Sequence, residues 1–273
     1  MALIPGLMLA AALSPDDIAA RAGVVLAPLW RICIDTVSIV LEAAPFVLAG
    51  SIAATLAQRF VRSPLTAPLV AALAPGCDCA MNGFAVALRS CKPAIAGMAL
   101  TWGAVCNPIA LVATATVLGG HLLVARIIGG GVAAGTLGLL WRLGGDAKDC
   151  LHDACAPAAG VAAHLEDGLR LLLPAAFVGS VVIVMAPDVL GTHMSPLFAA
   201  IAAALLSPCS TADPVLAKVL AVSGPAQAAF VVAAQCADVR QLALLSRHFG
   251  VRRAALAALA GAAGCLTAVM AAR

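Results

Sequence analysis

Apolar runs separated by short polar or helix-breaking punctuation make up almost the whole chain, and their lengths fall into two classes. Residues 29–60 form one long run that ends among Arg59, Arg62 and Pro64. About 20 apolar residues cross a bilayer as a helix, so this run predicts a first span. The runs at 65–74 and 80–88 are each too short to cross; the Pro75-Gly76 pair divides them, and Arg89 and Lys92 follow. Two short runs around a break predict a re-entrant hairpin, whose unwound backbone must be surrounded by protein or a water-filled cavity. A span over 94–118 comes next, interrupted at Cys106-Asn107-Pro108, and then a span over 122–140 that ends at Trp141 and Arg142.

After a polar linker at 144–163 the same series of parts returns. A span over 169–186 contains Pro174 and Gly179, two short runs flank Pro208-Cys209, a segment from Pro225 is interrupted near Cys236, and a last span covers 254–272. Setting Pro45 against Pro174 puts Gly50 opposite Gly179 and Cys106-Asn107-Pro108 opposite Cys236-Ala237-Asp238. The halves read as repeats. Three full spans per half is an odd number, so the second half enters the membrane in the opposite sense. The expected fold is an all-α integral membrane protein of two inverted repeats, each with three transmembrane helices and a re-entrant broken-helix hairpin. Its parts are an N-terminal segment (1–27), a first repeat (28–143), the linker (144–163) and a second repeat (164–273).

Composition agrees with a bilayer location. The chain is 63% hydrophobic and 11% charged, with a mean hydropathy of +1.06, where soluble domains carry about 25% charged residues. The net charge of +3 belongs to loops, and arginines placed singly between apolar runs offer no basic face to nucleic acid. Ten cysteines, mostly inside expected spans, read as free thiols instead of a disulfide framework. Residues 1–14 lack the basic residues of a signal peptide and read as an interfacial segment.

The chemistry concentrates at two breaks, PGCDCAMNGFA at 75–85 and SPCSTADPVLA at 207–217. In a continuous helix Cys77 and Cys79 would point to nearly opposite faces, but in an extended turn after Pro75-Gly76 their thiols converge. Paired thiolates select soft, thiophilic centres. Asp78 at bilayer depth costs about 2.5–3.5 kcal/mol on the insertion scale. It is offset by a bound cation, by a coupling proton or by capping the half-helix that follows. Asp213-Pro214 reads as an N-cap with proline at the first helical position, and Ser210 to Asp213 fits a capping box. The solute-site candidates are therefore Cys77, Asp78, Cys79, Asn82, Cys106, Asn107, Cys209, Ser210, Thr211, Asp213 and Cys236, with helix breaks at Pro75, Gly76, Pro108, Pro208 and Pro214. Asp35 and Glu42, two turns apart on one face, are candidates for proton coupling, as is Asp238. Cys33, Cys91 and Cys265 read as small buried hydrophobes. In the linker, Cys150, His152 and Cys155 could collect a soft metal, though without the regular paired spacing of a structural zinc site.

These segments resemble the signatures of a family of permeases that includes the organoarsenical efflux permeases. There a Pro-x-Cys-Ser-Cys-Gly motif in the first half pairs with a Cys-Ser-Thr-Ala-Asp motif in the second. The second matches at Cys209, Ser210, Thr211, Ala212 and Asp213; in the first, Cys77 and Cys79 match while Asp78 and Ala80 replace serine and glycine. The resemblance spans residues 45–245 and implies a permease of two related halves; in characterised members it implies thiol-dependent export of trivalent arsenicals. The expected partners are the lipid bilayer and a small thiophilic solute, with self-association left open, and the expected location is a bacterial cytoplasmic membrane. No nucleotide-binding loop occurs and no cofactor or enzymatic activity is expected. The alternatives are a membrane thiol-disulfide oxidoreductase cycling Cys77 and Cys79, or a permease for a small sulfur compound or anion.

Loop charge sets the orientation. With Arg59, Arg62, Arg89, Lys92, Arg142 and Lys148 cytoplasmic, alternation places Arg240, Arg247, Arg252 and Arg253 on the same side, and leaves Arg21, His121, Asp188, His193 and Lys218 opposite. Reporter fusions are expected to report Lys148 and Arg252 on one side of the membrane; opposite sides would overturn this topology.

Overall fold

The computed structural model describes residues 15–60, 81, 84, 85, 88, 91–144, 160–185, 194–206, 210, 212–221 and 223–273. Among them the chain is all helical: α1 (Pro15–Phe60), α2 (Pro93–Val105), α3 (Pro108–Val117), α4 (Gly120–Leu143), α5 (Val161–Met185), α6 (Pro196–Leu206), α7 (Asp213–Leu220), α8 (Gly224–Cys236), α9 (Val239–Phe249) and α10 (Val251–Ala271). Five stretches are long and apolar enough to cross a membrane: Ala27–Ala53, Pro93–Val117, Gly120–Leu143, Gly224–Phe249 and Val251–Ala271. Helix α5, which covers the sixth expected span, is 25 residues long but opens with charge, including an exposed Glu166–Arg170 pair. Helices α6 and α7, of 11 and 8 residues, are too short to cross and flank the second break.

Two of the spans are broken in the middle, for local reasons. Proline has no N–H and its ring clashes with the preceding turn, which kinks a helix or ends it; at Pro108, where Asn107 offers a cap, α2 ends and α3 begins. Asn107 bridges the break: its Oδ1 accepts from the Ala110 N–H at 2.8 Å and its Nδ2 donates to the Ala104 carbonyl at 3.1 Å. In the second half Asp238 takes the same place, accepting from the Gln241 N–H at 2.6 Å. In capping role Asn107 thus corresponds to Asp238, one residue on from the position that the cysteine-to-cysteine matching pairs with it. At that offset Gly119 answers to Gly250, and both adopt a φ of 91°, which L side chains rarely accept. Each reverses the chain between a half-helix and the span that follows.

Corresponding helices pack on one another head to tail. Gly129 of α4 lies against Gly264 and Ala268 of α10, while at the far end the Trp141 indole N–H donates to the Arg253 carbonyl at 3.1 Å, so α4 and α10 are antiparallel. The Arg253 guanidinium also sits 5.7 Å from the Trp141 ring centre. Helices α1 and α5 are likewise antiparallel, with Thr36 donating to Ser180 at 3.1 Å and Ala43 and Val47 packed on Leu172. Two cores result. One joins α6, α7 and α8 to the start of α4 and the end of α10; the other joins Met81, Phe84, Ala85 and Leu88 to α2, α9, the end of α4 and the start of α10.

The outward faces stay apolar. Ile34, Leu41 and Leu48 recur at heptad spacing along α1, while Val124, Ile128, Val132 and Leu139 along α4 and Leu259, Leu266 and Met270 along α10 recur at intervals of four or seven, all exposed. Among the described residues, an exterior rich in apolar side chains around a core with buried charge suits contact with lipid.

The glycines set how closely α4 and α10 approach. A Cβ on Gly264 would stand 2.6 Å from the Gly129 carbonyl oxygen and 2.8 Å from the Ala133 Cβ, whereas one on Gly135 would meet nothing within 4 Å. Gly264→Val is therefore expected to lower stability in detergent by about 1–3 kcal/mol through overpacking. Gly135→Ala is expected to leave stability equal or raised by about 0.5–1 kcal/mol. Thermal unfolding of the solubilised protein checks both, and equal melting of the two variants would contradict the close contact.

Candidate functional site

Arg126, two turns into α4, is buried with no solvent exposure, and every element around the middle of the molecule converges on it. Its Nε donates to the Val105 carbonyl at 2.8 Å, at the end of α2 where the break leaves carbonyls without helical partners. Its Nη1 donates to Thr114 Oγ1 on α3 at 2.9 Å and to Asp213 Oδ1 at 3.0 Å, and its Nη2 lies 3.0 Å from Asp213 Oδ2. The second carboxylate oxygen also accepts from Gln235 Nε2 of α8 at 3.0 Å. Asp213 is as deeply buried as its partner. One guanidinium thus joins both sides of the first-half break to two helices of the second half.

The electrostatics favour these places. The carbonyl end of α2 and the amide end of α7 carry opposite partial charges, so a cation at the first and a carboxylate at the second are each stabilised by the helix that presents them. The pair is held by one hydrogen bond, Nη1 to Oδ1, and by the ionic contact of Nη2 with Oδ2, whose geometry leaves Nη2 without a hydrogen bond. A second buried pair lies at the other broken span, where Arg240 Nε is 3.0 Å from Asp238 Oδ2. The Arg240 charge also acts on Asp213 through space. Two carboxylates and two guanidiniums therefore occupy the interior beside the breaks.

The sequence-derived candidates distribute unevenly around this centre. Asp213 is in it, but the N-cap position of α7 belongs to Ala212, and the Asp213 carboxylate reaches Arg126 and Gln235 instead of its own helix. Pro214 stands in the first turn as expected. Ser210 is buried at the turn before α7. Asn107 caps α3 at Pro108, so its side chain is occupied by backbone. Cys106 and Cys236 are buried at the two breaks, each against a glycine of the following span: Cys106 with Val105 on Gly130, Cys236 with Ala237 on Gly261. Asp238 caps α9 and pairs with Arg240. Asp35 is half-buried on α1, and of Glu42 only its place in that helix is described. Cys77, Asp78, Cys79, Asn82, Pro75, Gly76, Pro208, Cys209 and Thr211 lie outside the described residues, as do Cys150, His152 and Cys155 of the linker. Among the described residues no three His, Cys, Asp or Glu side chains are grouped to hold a metal. Cys33 is exposed and Cys91 half-buried, against the expectation of burial, while Cys265 is buried with its thiol 3.7 Å from the Ala229 carbonyl.

Three members of the site escaped the reading of apolar runs. Arg126 does not sit between runs; it interrupts one, and an arginine well inside a 24-residue apolar helix, unlike Arg142 in its last turn, was itself the signal. Gln235 gave the same signal in α8. Arg240, expected with the basic residues of one membrane face, is buried beside Asp238. The terminal residues do follow the expected separation. Lys92, Arg142, Arg252 and Arg253 belong to the end where Trp141 meets Gly97 and Arg253, and Lys218 reaches the Val117 carbonyl near His121 at the other.

Comparison with protein-family models, curated proteins and solved structures finds nothing that matches this chain.

Removing one partner of a buried pair strands the other charge, at about 3–5 kcal/mol, whereas apolar replacement of both is often neutral or better. Asp213→Leu is expected to destabilise by about that amount. Arg126→Met with Asp213→Leu is expected to recover most of it. Chemical unfolding of the four members of this cycle in detergent decides; additive losses would mean that the pair is not coupled.

Proposed function

We propose that the protein is a membrane permease whose solute path passes the helix breaks at the centre of two inverted halves. The observation that carries this reading is the Arg126–Asp213 pair, a costly ionic contact at the depth of a mid-span break that joins the first half to the second. The antiparallel packing of α4 on α10 and of α1 on α5 supports inverted repeats, because equivalent helices related by an axis in the membrane plane run in opposite directions. The short helices α6 and α7 support a re-entrant hairpin in the second half, with PGCDCAMNGFA as its counterpart in the first.

The solute is a small thiophilic species, a trivalent arsenical or soft metal ion, held by Cys77 and Cys79 with the cysteines of the other breaks. This assignment rests on thiolate chemistry and on the resemblance to the organoarsenical efflux permeases. Efflux across a bacterial cytoplasmic membrane follows from the same resemblance, and an ion or solute gradient supplies the energy.

Everted vesicles carrying the protein should accumulate a member of a panel of trivalent arsenicals, copper(I) and zinc, and Cys77→Ser or Cys79→Ser should each reduce that flux at least about tenfold, the equivalent of 1.4 kcal/mol. Flux unchanged by both substitutions would remove the thiol mechanism and leave the permease. Absence of flux for every solute, with an electron acceptor instead oxidising the pair, would favour the oxidoreductase.

A further inference from the structure

Asp213 is held by groups that can serve either of its protonation states. As a carboxylate it takes Arg126 through both oxygens and one N–H of Gln235. The Gln235 amide has a second, idle face: its Oε1 is buried with no hydrogen-bond partner, in a residue with no solvent exposure. Leaving a buried acceptor unmade carries a desolvation penalty, which a purely structural pair would be expected to avoid. Rotating the amide by half a turn exchanges the two faces, so the oxygen that now lacks a donor would accept the O–H of a protonated Asp213. Arg126 has other acceptors to keep, the Val105 carbonyl and Thr114 Oγ1, and so stays on the first-half break when the carboxylate leaves.

We infer that Asp213 is a proton-binding site of the permease, at which Arg126 and a proton are alternative partners, so that protonation unfastens α7 from the break between α2 and α3. The proton comes from the aqueous phase and ends on a carboxyl oxygen of Asp213; no bond other than the ion pair is broken. The site passes from an internally neutral pair to one bearing the Arg126 charge, which favours an anionic or thiolate solute at the break. The charged and titratable groups acting on Asp213 are Arg126 from α4 and Arg240 from α9, the latter itself paired with Asp238; α3 and α8 present the neutral Thr114 and Gln235. This assigns the coupling proton of the proposed permease to Asp213 instead of Asp35, Glu42 or Asp238, and it rests on that reading of function.

The test needs no solute, so it stands or falls apart from the transport assay. Infrared difference spectra of the full-length protein in lipid, taken from mildly alkaline to mildly acidic pH, should show the C=O band of a protonated carboxyl while circular dichroism reports an intact fold. The band should be lost in Asp213→Asn and shifted in frequency in Asp213→Glu, the latter guarding against misfolding of the former. In Arg126→Gln it should develop at a higher pH, because the cation that favours the carboxylate is gone. Amide hydrogen exchange over residues 106–110, corrected for its intrinsic pH dependence, should accelerate about tenfold per pH unit as the pH falls towards the transition and level off below it, as for a single linked proton. It should be fast at every pH in Asp213→Asn. A folded protein with no Asp213-dependent carboxyl band, or exchange at the break that is indifferent to pH, overturns the inference.

Discussion

A guanidinium and a carboxylate withdrawn completely from solvent are the most expensive groups this structure contains, and the arrangement of the helices around them follows from that cost. Arg126 and Asp213 approach one another through two contacts of 3.0 Å, one of them a hydrogen bond, and the pair draws on its neighbours for further donors and acceptors. The interrupted helix α2 supplies a free carbonyl, Thr114 of α3 a hydroxyl and Gln235 of α8 an amide. An unbroken α2–α3 helix would have spent the Val105 carbonyl on its own ladder. The Asn107-Pro108 break and the buried arginine therefore explain one another.

Apolar surface contributes differently here from the way it does in a soluble protein. In lipid the outward leucines and isoleucines gain nothing by burial, so close approach between helices rests on packing of small residues and on polar contacts. Gly129 and Gly264 admit backbone contact between α4 and α10, and Gly130 and Gly261 each make room for the residues at one of the two breaks. The recurrence of the glycine under each break gives both halves the same solution to one problem, seating an irregular stretch of backbone against a continuous span.

Much of the architecture was legible because it is set by local properties. Apolar length fixes where a helix can cross, and Asn107 with Pro108 favours a new helix start, a cap followed by proline at the first helical position. The interruptions at 106–107 and 237–238, the span α4 and the short helices beside the second break all follow from residues next to each other in the chain. The counterpart of Asn107 was harder to find. Matching Cys106 to Cys236 compares residue types, whereas the structure equates roles, with Asn107 and Asp238 each accepting from the amide three residues on.

What the sequence determined by itself was a polytopic helical chain with two punctuated halves and cysteines at the breaks, since hydrophobic length, missing amide donors and capping chemistry act over a few residues. Only the tertiary structure decided the partner of Asp213. A local reading offered it the free amides of its own helix, while the fold brought Arg126 to it from 87 residues away. In a medium of low dielectric a full charge outweighs a backbone dipole, and which charge arrives is a matter of packing that no neighbouring residue encodes.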